Sequence, residues 1–234
     1  MKKSSLVIEL IGPPGAGKTT LSEALSCREA ILTGAFPNIR AINNLPFFIG
    51  NGFALLPTFY SLYRGKYKRG PTRQELAYMT ILTGWPRVLE SRSGYDGKTM
   101  LLDQGPVYML TELLRFDRGI ITNGLTGAWW RNACKRWAET LDLVIRLDAP
   151  DKTLIERIRR REKFHGIKTN SDARAIEYLT SHRSTQEKVL SDLLPSSTDD
   201  RVVSFDTTQM SLDETVTHIL ELLKKIKRKN VNTQ

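Results

Sequence analysis

The chain of 234 residues has an ordinary globular composition, with 40% hydrophobic and 26% charged residues. These values exclude a disordered chain, a collagen-like chain and a coiled-coil rod. The two cysteines, Cys27 and Cys134, form no CxxC pair, which excludes a zinc finger and a disulfide scaffold and predicts a reducing, cytoplasmic environment. The net charge of +10 favours anionic partners: nucleotides, phosphorylated metabolites, nucleic acid or an anionic membrane.

Segments typical of strands and helices alternate along the first half of the chain. The nearly all-apolar run Leu6–Ile11 is typical of a parallel strand buried on both faces. It is too short for the core of a secretory signal, which needs about 7–15 apolar residues. A helix over Lys18–Cys27 and a short strand over 30–33 follow. Thr72–Thr83 predicts a helix that ends or kinks at Gly84-Trp85-Pro86, because proline interrupts the hydrogen bonding of a helix.

The second half continues the alternation and fixes the predicted fold class. The predicted strands are Thr99–Leu102, Leu143–Leu147 and Val202–Phe205. Four helices are predicted. The first contains Trp129–Leu141, and the second has Pro150 in its first turn. The third starts near Asp172, and the fourth starts at a capping box of Ser211 and Glu214. Ile176 and Leu212 are predicted to face the core from the last two helices. Strands alternating with helices predict a three-layer parallel α/β sandwich.

A glycine-rich segment between the first strand and the first helix carries the clearest chemical signal. Residues Gly12, Pro13, Pro14, Gly15, Ala16, Gly17, Lys18 and Thr19 satisfy the pattern G-x-x-x-x-G-K-[ST], and Thr20 follows them. Such a loop surrounds a phosphate with backbone N–H groups, and the start of the next helix adds partial positive charge. We expect these residues to bind nucleotide phosphates, with Lys18 on the outer phosphates and the Thr19 hydroxyl on Mg²⁺.

Asp103 directly follows the apolar residues of the predicted strand Thr99–Leu102. Ligands of parallel sheets bind beyond the carboxyl ends of the strands, so Asp103 is predicted to face the phosphate loop. There it would hold Mg²⁺ or accept the proton of an attacking hydroxyl group. A solvated aspartate in a turn is the structural alternative.

Basic residues are concentrated between positions 157 and 168. Arg157 and Arg161 are four residues apart and share one helix face, where they would neutralise the charge of a transferring phosphoryl group. Arg159 and Arg160 point elsewhere on the helix. A solvated basic face is the alternative interpretation. The three histidines have no paired spacing, so they predict no metal-ligand set.

These motifs together resemble the thymidylate kinase-like nucleoside and nucleotide kinases. The resemblance rests on the phosphate loop, the strand ending in Asp103, DLVIRLDAPDKTLIERIRRRE from Asp142, and RVVSFDTTQMSLDETVTHIL from Arg201. It implies a P-loop NTPase fold with a five-stranded parallel sheet of order 2-3-1-4-5, ATP and Mg²⁺ as donor, and a small mobile Arg-rich lid over about 159–171. It also implies that Arg157 and Arg161 are lid arginines and that Asp206, Thr207 and Thr208 lie near the adenine.

The predicted function is that of a single kinase domain over residues 1–234, which transfers the γ-phosphate of ATP to a nucleoside, a nucleotide or a similar small acceptor. Gln104 stands where the family usually has an arginine that contacts the acceptor's phosphate, which leaves a neutral hydroxyl acceptor open. The alternatives are a peripheral membrane kinase with a sugar- or lipid-linked acceptor and a regulatory ATPase that binds nucleic acid. The chain has no recognised nucleic-acid module, which disfavours the ATPase. The sequence is also compatible with a homodimer.

The segment 43–92 is predicted to form the acceptor side and to set acceptor choice. It carries Phe47, Phe48, Phe53, Phe59, Tyr60 and Tyr63, and then Arg87 and Arg92. The aromatic rings would line a pocket or stack on the acceptor, and the arginines would bind an anionic group; core packing of the rings is the alternative. The apolar run 45–63 and the basic residues Arg64, Lys66, Lys68 and Arg69 are the basis of the membrane alternative. Gly50, Gly52 and Pro57 predict neither a spanning helix nor a continuous amphipathic face there.

Overall fold

The sheet of the protein is parallel and has five strands in the order β2-β3-β1-β4-β5. The computed structural model describes residues 5–28, 31–34, 45–58, 60, 72–91, 98–116, 127–162, 166–195 and 200–232. The strands are β1 (Val7–Ile11), β2 (Ile31–Gly34), β3 (Thr99–Asp103), β4 (Leu143–Asp148) and β5 (Val202–Asp206). The predicted fold class and strand order are confirmed.

Helices cover both faces of this sheet, so the described part of the chain has three layers. They are α1 (Lys18–Ser26), α2 (Leu45–Phe53), α3 (Arg73–Ser91), α4 (Pro106–Phe116), α5 (Gly127–Thr140), α6 (Asp151–Arg160), α7 (Asp172–Leu193) and α8 (Leu212–Asn232). Val7 and Ile11 of β1 belong to a core shared with α3, α4 and α5. Ile8 and Leu10 belong to the opposite core, shared with α1, α6 and α8. A nearly all-apolar strand pattern is therefore expected in β1, because both of its faces are buried.

The strand register brings the carboxyl ends of the central strands to one edge of the sheet. Leu10 of β1 pairs with Asp103 of β3, and Asp148 of β4 pairs with Asp206 of β5. Since all five strands are parallel, the segments that follow β1, β3, β4 and β5 surround the same edge. This is the edge at which parallel α/β sheets bind their ligands.

Helix α3 continues through Gly84-Trp85-Pro86, so of the two predicted outcomes, an end or a kink, the end is wrong. Pro86 has no N–H to donate to the carbonyl of Leu82, four residues earlier in the helix. The indole Nε1 of Trp137, on α5, donates to that carbonyl at 3.0 Å, and the Trp137 side chain is fully buried. A side chain from another helix thus satisfies the group that the proline leaves without its usual donor.

Replacing Trp137 with phenylalanine should lower the free energy of unfolding by about 3 kcal/mol, because the change leaves a buried carbonyl unsatisfied and a cavity beside it. The Pro86→Ala variant restores an N–H that can donate to Leu82. In that background Trp137→Phe should cost about 1 kcal/mol less. Urea unfolding of the wild type, the two single variants and the double variant measures this coupling. Equal costs of Trp137→Phe in both backgrounds would show that the indole does not replace the missing donor.

Two further helix predictions are settled by the burial pattern and the caps. Ile176 was expected in the core, but it is 42% exposed, because the buried face of α7 runs through Ala175, Leu179 and His182 instead. The capping box of α8 is confirmed: the Ser211 N–H donates to Glu214 Oε2 at 2.9 Å, and the Glu214 N–H donates to Ser211 Oγ at 3.3 Å.

Candidate functional site

The glycine-rich segment forms a tight loop between β1 and α1. Gly12, Gly15 and Gly17 have φ values of 135°, 89° and 91°, which side chains rarely allow. At Gly12 a Cβ atom would lie 2.0 Å from the carbonyl oxygen of Leu147, so the loop can pass this close to β4 only with glycine. The predicted residues therefore form one compact turn at the ligand edge of the sheet.

The start of helix α1 faces this turn and carries no groups that would repel an anion. Gly17 is the N-cap and supplies no side-chain cap, and the first turn of α1 has no acidic residue. The first N–H groups of a helix have no acceptor within it, and they carry the positive end of the helix dipole. Lys18, Thr19 and Thr20 supply these groups, with Thr19 and Thr20 exposed. The arrangement is typical of a phosphate site.

The ammonium group of Lys18 is folded against this loop. It donates to the carbonyl oxygens of Gly12 at 2.7 Å and Pro13 at 3.0 Å. Burial lowers the pKa of Lys18 to about 8, while the negative charge of Asp103 opposes this shift and the positive charge of Arg161 adds to it. Lys18 therefore stays largely protonated at pH 7 and lies within electrostatic reach of the strand-end carboxylate.

A buried carboxyl group that the sequence analysis did not single out lies against the turn that follows Asp103. Glu9 is fully buried, and its two oxygens accept from the N–H groups of Val107 at 2.9 Å and Tyr108 at 3.0 Å, at the start of α4. Burial raises the pKa of Glu9 to about 8 against the effect of these donors, and Asp103 adds to the rise. The sequence feature that could have identified Glu9 is its position as a charged residue inside an otherwise apolar strand.

The contacts of Glu9 fix the turn that follows Asp103. A Cβ atom at Gly105 would lie 2.5 Å from the carboxyl carbon of Glu9, and Gln104 adopts a positive φ of 71°. Glycine at 105 is thus required by close approach of the carboxylate. Glu9 thus orders the turn and the start of α4 that follow Asp103.

A cleft of about 350 Å³ opens on the other side of the phosphate loop. Its lining comes from the loop and α1 (Gly15, Ala16, Gly17, Thr20, Leu21), from β4 and α6 (Leu147, Arg157, Arg161), and from the chain after β5 (Thr207, Met210, Leu212, Thr215). Four of the predicted phosphate-site residues (Gly15, Ala16, Gly17 and Thr20), both predicted arginines and Thr207 therefore meet in one cavity. Its wall combines apolar side chains with hydrogen-bonding groups, as in small-molecule sites.

Arg157 links three walls of this cleft. Its guanidinium donates to Thr207 Oγ1 at 2.8 Å, to the Thr207 carbonyl at 3.2 Å and to the Gly15 carbonyl at 3.4 Å. Thr207 Oγ1 in turn donates to the carbonyl of Asp148 at 3.2 Å. Arg157 thus orders the loop after β5 against the phosphate loop, a role that its position on a basic helix did not predict.

The other basic residues of this region separate into two groups. Arg161, the residue after α6, lines the cleft, and its carbonyl accepts from Lys168. Arg159 turns away and forms an ion pair with Asp172 at 2.7 Å, and Arg160 is exposed. Arg157 and Arg161 therefore line the cleft and Arg159 and Arg160 do not, as predicted, but Arg161 follows the helix and does not share its face. His165 of the predicted lid lies outside the described residues.

The apolar wall of the cleft contains residues that sequence analysis assigned elsewhere or missed. Leu212 was expected in the core, but it is 41% exposed and lines the cleft together with Met210 and Leu147. Periodicity cannot separate a core face from a cleft wall, since both are apolar. Arg183 of α7 was also missed; it donates to both oxygens of Asp148, at 2.8 and 2.9 Å, and braces the end of β4.

The residues predicted to bind Mg²⁺ have suitable chemistry. Mg²⁺ prefers oxygen ligands and is commonly held by one or two protein groups together with substrate phosphates and water. The exposed hydroxyl of Thr19 and the half-buried carboxylate of Asp103 provide such oxygens. No cluster of three or more His, Cys, Asp or Glu side chains able to hold a metal occurs among the described residues, so the phosphates would have to complete the coordination.

A second polar group of side chains lies where α3, α4 and α7 meet. The rings of Tyr78 and Tyr108 are 6.4 Å apart, and Arg115 donates to the Tyr178 hydroxyl at 3.0 Å while lying 4.5 Å from the centre of its ring. The buried His182 lies within the electrostatic reach of both Arg115 and Lys18; burial, with these charges, lowers its pKa to about 4. These tyrosines and Arg115, the tyrosine cluster, therefore adjoin the Lys18 side of the site.

The aromatic segment expected to line an acceptor pocket is divided between core and surface. Phe47 packs edge-on against Phe48 and Trp85, with ring centres 5.4 and 5.6 Å away. Phe53 and Tyr60 are 65% and 61% exposed. Arg87 is exposed, while Phe59, Tyr63 and Arg92 lie outside the described residues. None of the described members of this set lines the cleft beside the phosphate loop.

Comparisons with known proteins agree with this geometry at the level of fold. No protein-family model and no curated protein sequence matches the chain. Its structure is similar to that of deoxyadenosine kinase from M. mycoides with bound dATP, at 17% identity and a TM-score of 0.50, over 93% of this chain and 98% of that one. It is also similar to thymidylate kinase from Candida albicans, at 14% identity and a TM-score of 0.53, over 97% and 93%.

A third similar structure is the YorR protein from Bacillus subtilis in complex with phosphorylated GDP, at 16% identity and a TM-score of 0.50, over 93% and 95% of the two chains. Likeness at such low identity demonstrates a shared fold. The chain therefore shares its fold with deoxyadenosine kinase, thymidylate kinase and YorR, as the sequence resemblance predicts.

Proposed function

We propose that this protein is an ATP-dependent phosphotransferase that phosphorylates a nucleoside, a nucleotide or a similar small acceptor. The observation that carries the proposal is that Gly15, Ala16 and Gly17 of the phosphate loop meet Arg157, Arg161 and Thr207 around one cleft. Lys18 is folded against the same loop, and Asp103 lies at the neighbouring strand end. Positive groups and backbone N–H groups converge there, as transfer of a phosphoryl group requires. The similar folds of known nucleoside and nucleotide kinases support it.

The cleft beside the loop suits the nucleoside part of the donor. Leu212, Met210 and Leu147 offer an apolar wall to a base, and Thr207 offers hydroxyl and backbone groups at its edge. The phosphates would then reach the start of α1, where Lys18 leaves its carbonyl partners to neutralise the outer phosphates. Thr19 and Asp103 would hold Mg²⁺, which supplies charge neutralisation on the β- and γ-phosphates when bound.

The tyrosine cluster suits the acceptor. Tyr78, Tyr108 and Tyr178 provide rings and hydroxyls, and Arg115 adds a half-buried cation. Rings of this kind stack on a base, and hydroxyls bind sugar or base edges. Tyr78 belongs to the predicted acceptor segment 43–92, but it was not among the aromatic residues singled out there.

The proposed reaction is an in-line transfer. The acceptor oxygen attacks the γ-phosphorus of ATP, the bond from that phosphorus to the β,γ-bridging oxygen breaks, and ADP leaves with that oxygen. Asp103 either accepts the proton of an attacking hydroxyl or orients the metal. Lys18, Arg157 and Arg161 stabilise the charge that spreads over the phosphoryl oxygens.

A product assay tests the proposal directly. The protein is incubated with ATP, Mg²⁺ and single acceptors from a panel of nucleosides, nucleotides, sugars and single- and double-stranded nucleic acids, and phosphorylated products are identified by mass spectrometry. We expect a phosphorylated nucleoside or nucleotide. ATP hydrolysis that only nucleic acid stimulates would instead favour the regulatory ATPase. Phosphorylation of a sugar alone would overturn the proposed acceptor class.

The arginines of the cleft should differ in their kinetic effects. We expect Arg161→Ala to lower kcat by at least about tenfold with little change in ATP affinity, because it acts on charge that develops in the transition state. Arg157→Ala should lower kcat and also weaken ATP binding, since Arg157 holds Thr207 in place. Arg160→Ala is the matched control because Arg160 is exposed on the same helix. Steady-state kinetics measure kcat, and ATP titrations measure ATP affinity. Normal turnover in both cleft variants would show that these arginines are only part of a solvated basic face.

A further inference from the structure

An exposed apolar stripe runs along α2 and the helical residues that follow it. Its members are Leu45, Ile49, Phe53, Leu56 and Tyr60, which are 51%, 50%, 65%, 54% and 61% exposed. Leu45, Ile49 and Phe53 are four residues apart, so they lie on one face of α2. Leu56 and Tyr60 follow a turn at residues 54–55 and extend the exposed stripe beyond the end of α2. The interruption agrees with the expectation that no continuous amphipathic face runs through Gly50, Gly52 and Pro57.

The stripe is not the core face of this segment, because the segment has another. Phe47 contacts Trp85 of α3, Leu55 is 1% exposed, and the Asn51 side chain lies where a Cβ atom at Gly84 would be. Both faces are therefore apolar, and no charged residue occurs between positions 45 and 60. Large apolar side chains exposed together on one face of a surface helix indicate a surface that something else covers.

The sequence on either side of the stripe carries charge of one sign. From residue 30 to residue 74 the sequence has six basic residues (Arg40, Arg64, Lys66, Lys68, Arg69 and Arg73) and no acidic residue. Arg73 is exposed at the start of α3. On α5, Arg136 lines a cavity with Leu55 and Thr58, and Arg131 and Lys135 are exposed nearby in sequence. Exposed apolar side chains together with basic residues match a partner that has an apolar interior and an anionic surface.

We propose that this stripe docks the protein on a membrane surface that contains anionic phospholipids, with the five side chains in the headgroup region. Apolar side chains on one helix face, together with basic residues, are the two components of interfacial membrane binding. A second copy of the chain fits less well, because a symmetric contact would bring the two acid-free segments together. Binding would be peripheral: among the described residues, no helix has both the length and the apolar character needed to cross a bilayer.

Vesicle sedimentation tests this docking independently of any enzymatic activity. The full chain is mixed with vesicles of phosphatidylcholine alone or of phosphatidylcholine with phosphatidylserine, at low and high salt. We expect binding to the phosphatidylserine vesicles that weakens with salt, since exposed charges are screened. The Ile49→Ser/Phe53→Ser variant should bind at least about tenfold more weakly.

A matched control uses an exposed apolar residue outside the stripe. Ile176, on α7, is 42% exposed, and Ile176→Ser should leave vesicle binding unchanged. Thermal unfolding of each variant confirms that it is folded, and a single Phe53→Ser variant replaces the double variant if the latter is not. Absence of binding, equal binding to both vesicle types, or equal loss in the Ile176→Ser variant would overturn the proposal. The proposal would also be overturned if the wild type forms a dimer and does not bind vesicles, and if the double variant no longer forms that dimer.

Discussion

The Lys18→Ala variant is expected to lose phosphoryl transfer by at least about a hundredfold in kcat while remaining folded. Lys18 is the cation of the phosphate loop, and its ammonium now rests on the carbonyls of Gly12 and Pro13. In the reaction it would leave them for the β- and γ-phosphates, where negative charge develops. The loss should therefore appear in the rate rather than in the stability of the protein.

The structure predicts why the fold survives this change. Burial already disfavours the charged form of Lys18, since it lowers the pKa to about 8, so removing the charge relieves that cost. Thermal unfolding and a turnover assay at saturating ATP measure the two effects. Lys152→Ala, an exposed lysine of α6, is the matched control. Near-normal turnover in folded Lys18→Ala would contradict the phosphate-site assignment.

The parts of this molecule that could be predicted are those with local signals. The phosphate loop is defined by contiguous residues, and its position between a buried strand and a helix follows from sequence neighbours. The sheet order came from a family resemblance, and the parallel sheet from the alternation of strands and helices. Asp103 could be placed at the ligand edge because the ends of parallel strands share that edge.

The parts that could not be predicted depend on partners distant in the chain. Helix α3 passes Pro86 because Trp137 donates to the Leu82 carbonyl from 55 residues away. Glu9 meets its backbone donors at Val107 and Tyr108, 98 and 99 residues away, so the sequence around Glu9 does not show which groups satisfy its carboxyl oxygens. Pro86 was interpreted by its usual local effect and Glu9 was not singled out, because the contacts that decide both lie far away in the sequence.

Asp103→Asn should lower kcat by at least about a hundredfold with little change in melting temperature, because it removes a charge and keeps the shape of the side chain. Asp200→Asn, at an exposed aspartate, is the matched control. If Asp103 accepts the acceptor's proton, added Mg²⁺ will not restore activity. If it orients the metal, higher Mg²⁺ will restore part of the rate. A large loss of stability with normal turnover would instead make Asp103 a structural turn residue.

The same variant makes a prediction about pH. Asp103 raises the pKa of Lys18, which burial holds at about 8, so Asp103→Asn should move the Lys18 pKa further down. The alkaline fall of kcat/KM, which reports the free protein, should then begin at a lower pH than in the wild type. Glu9 also titrates near this range, with its pKa raised by burial to about 8. Glu9→Gln removes that group and should keep the alkaline fall, so a loss of the fall in this variant would assign it to Glu9 instead of Lys18.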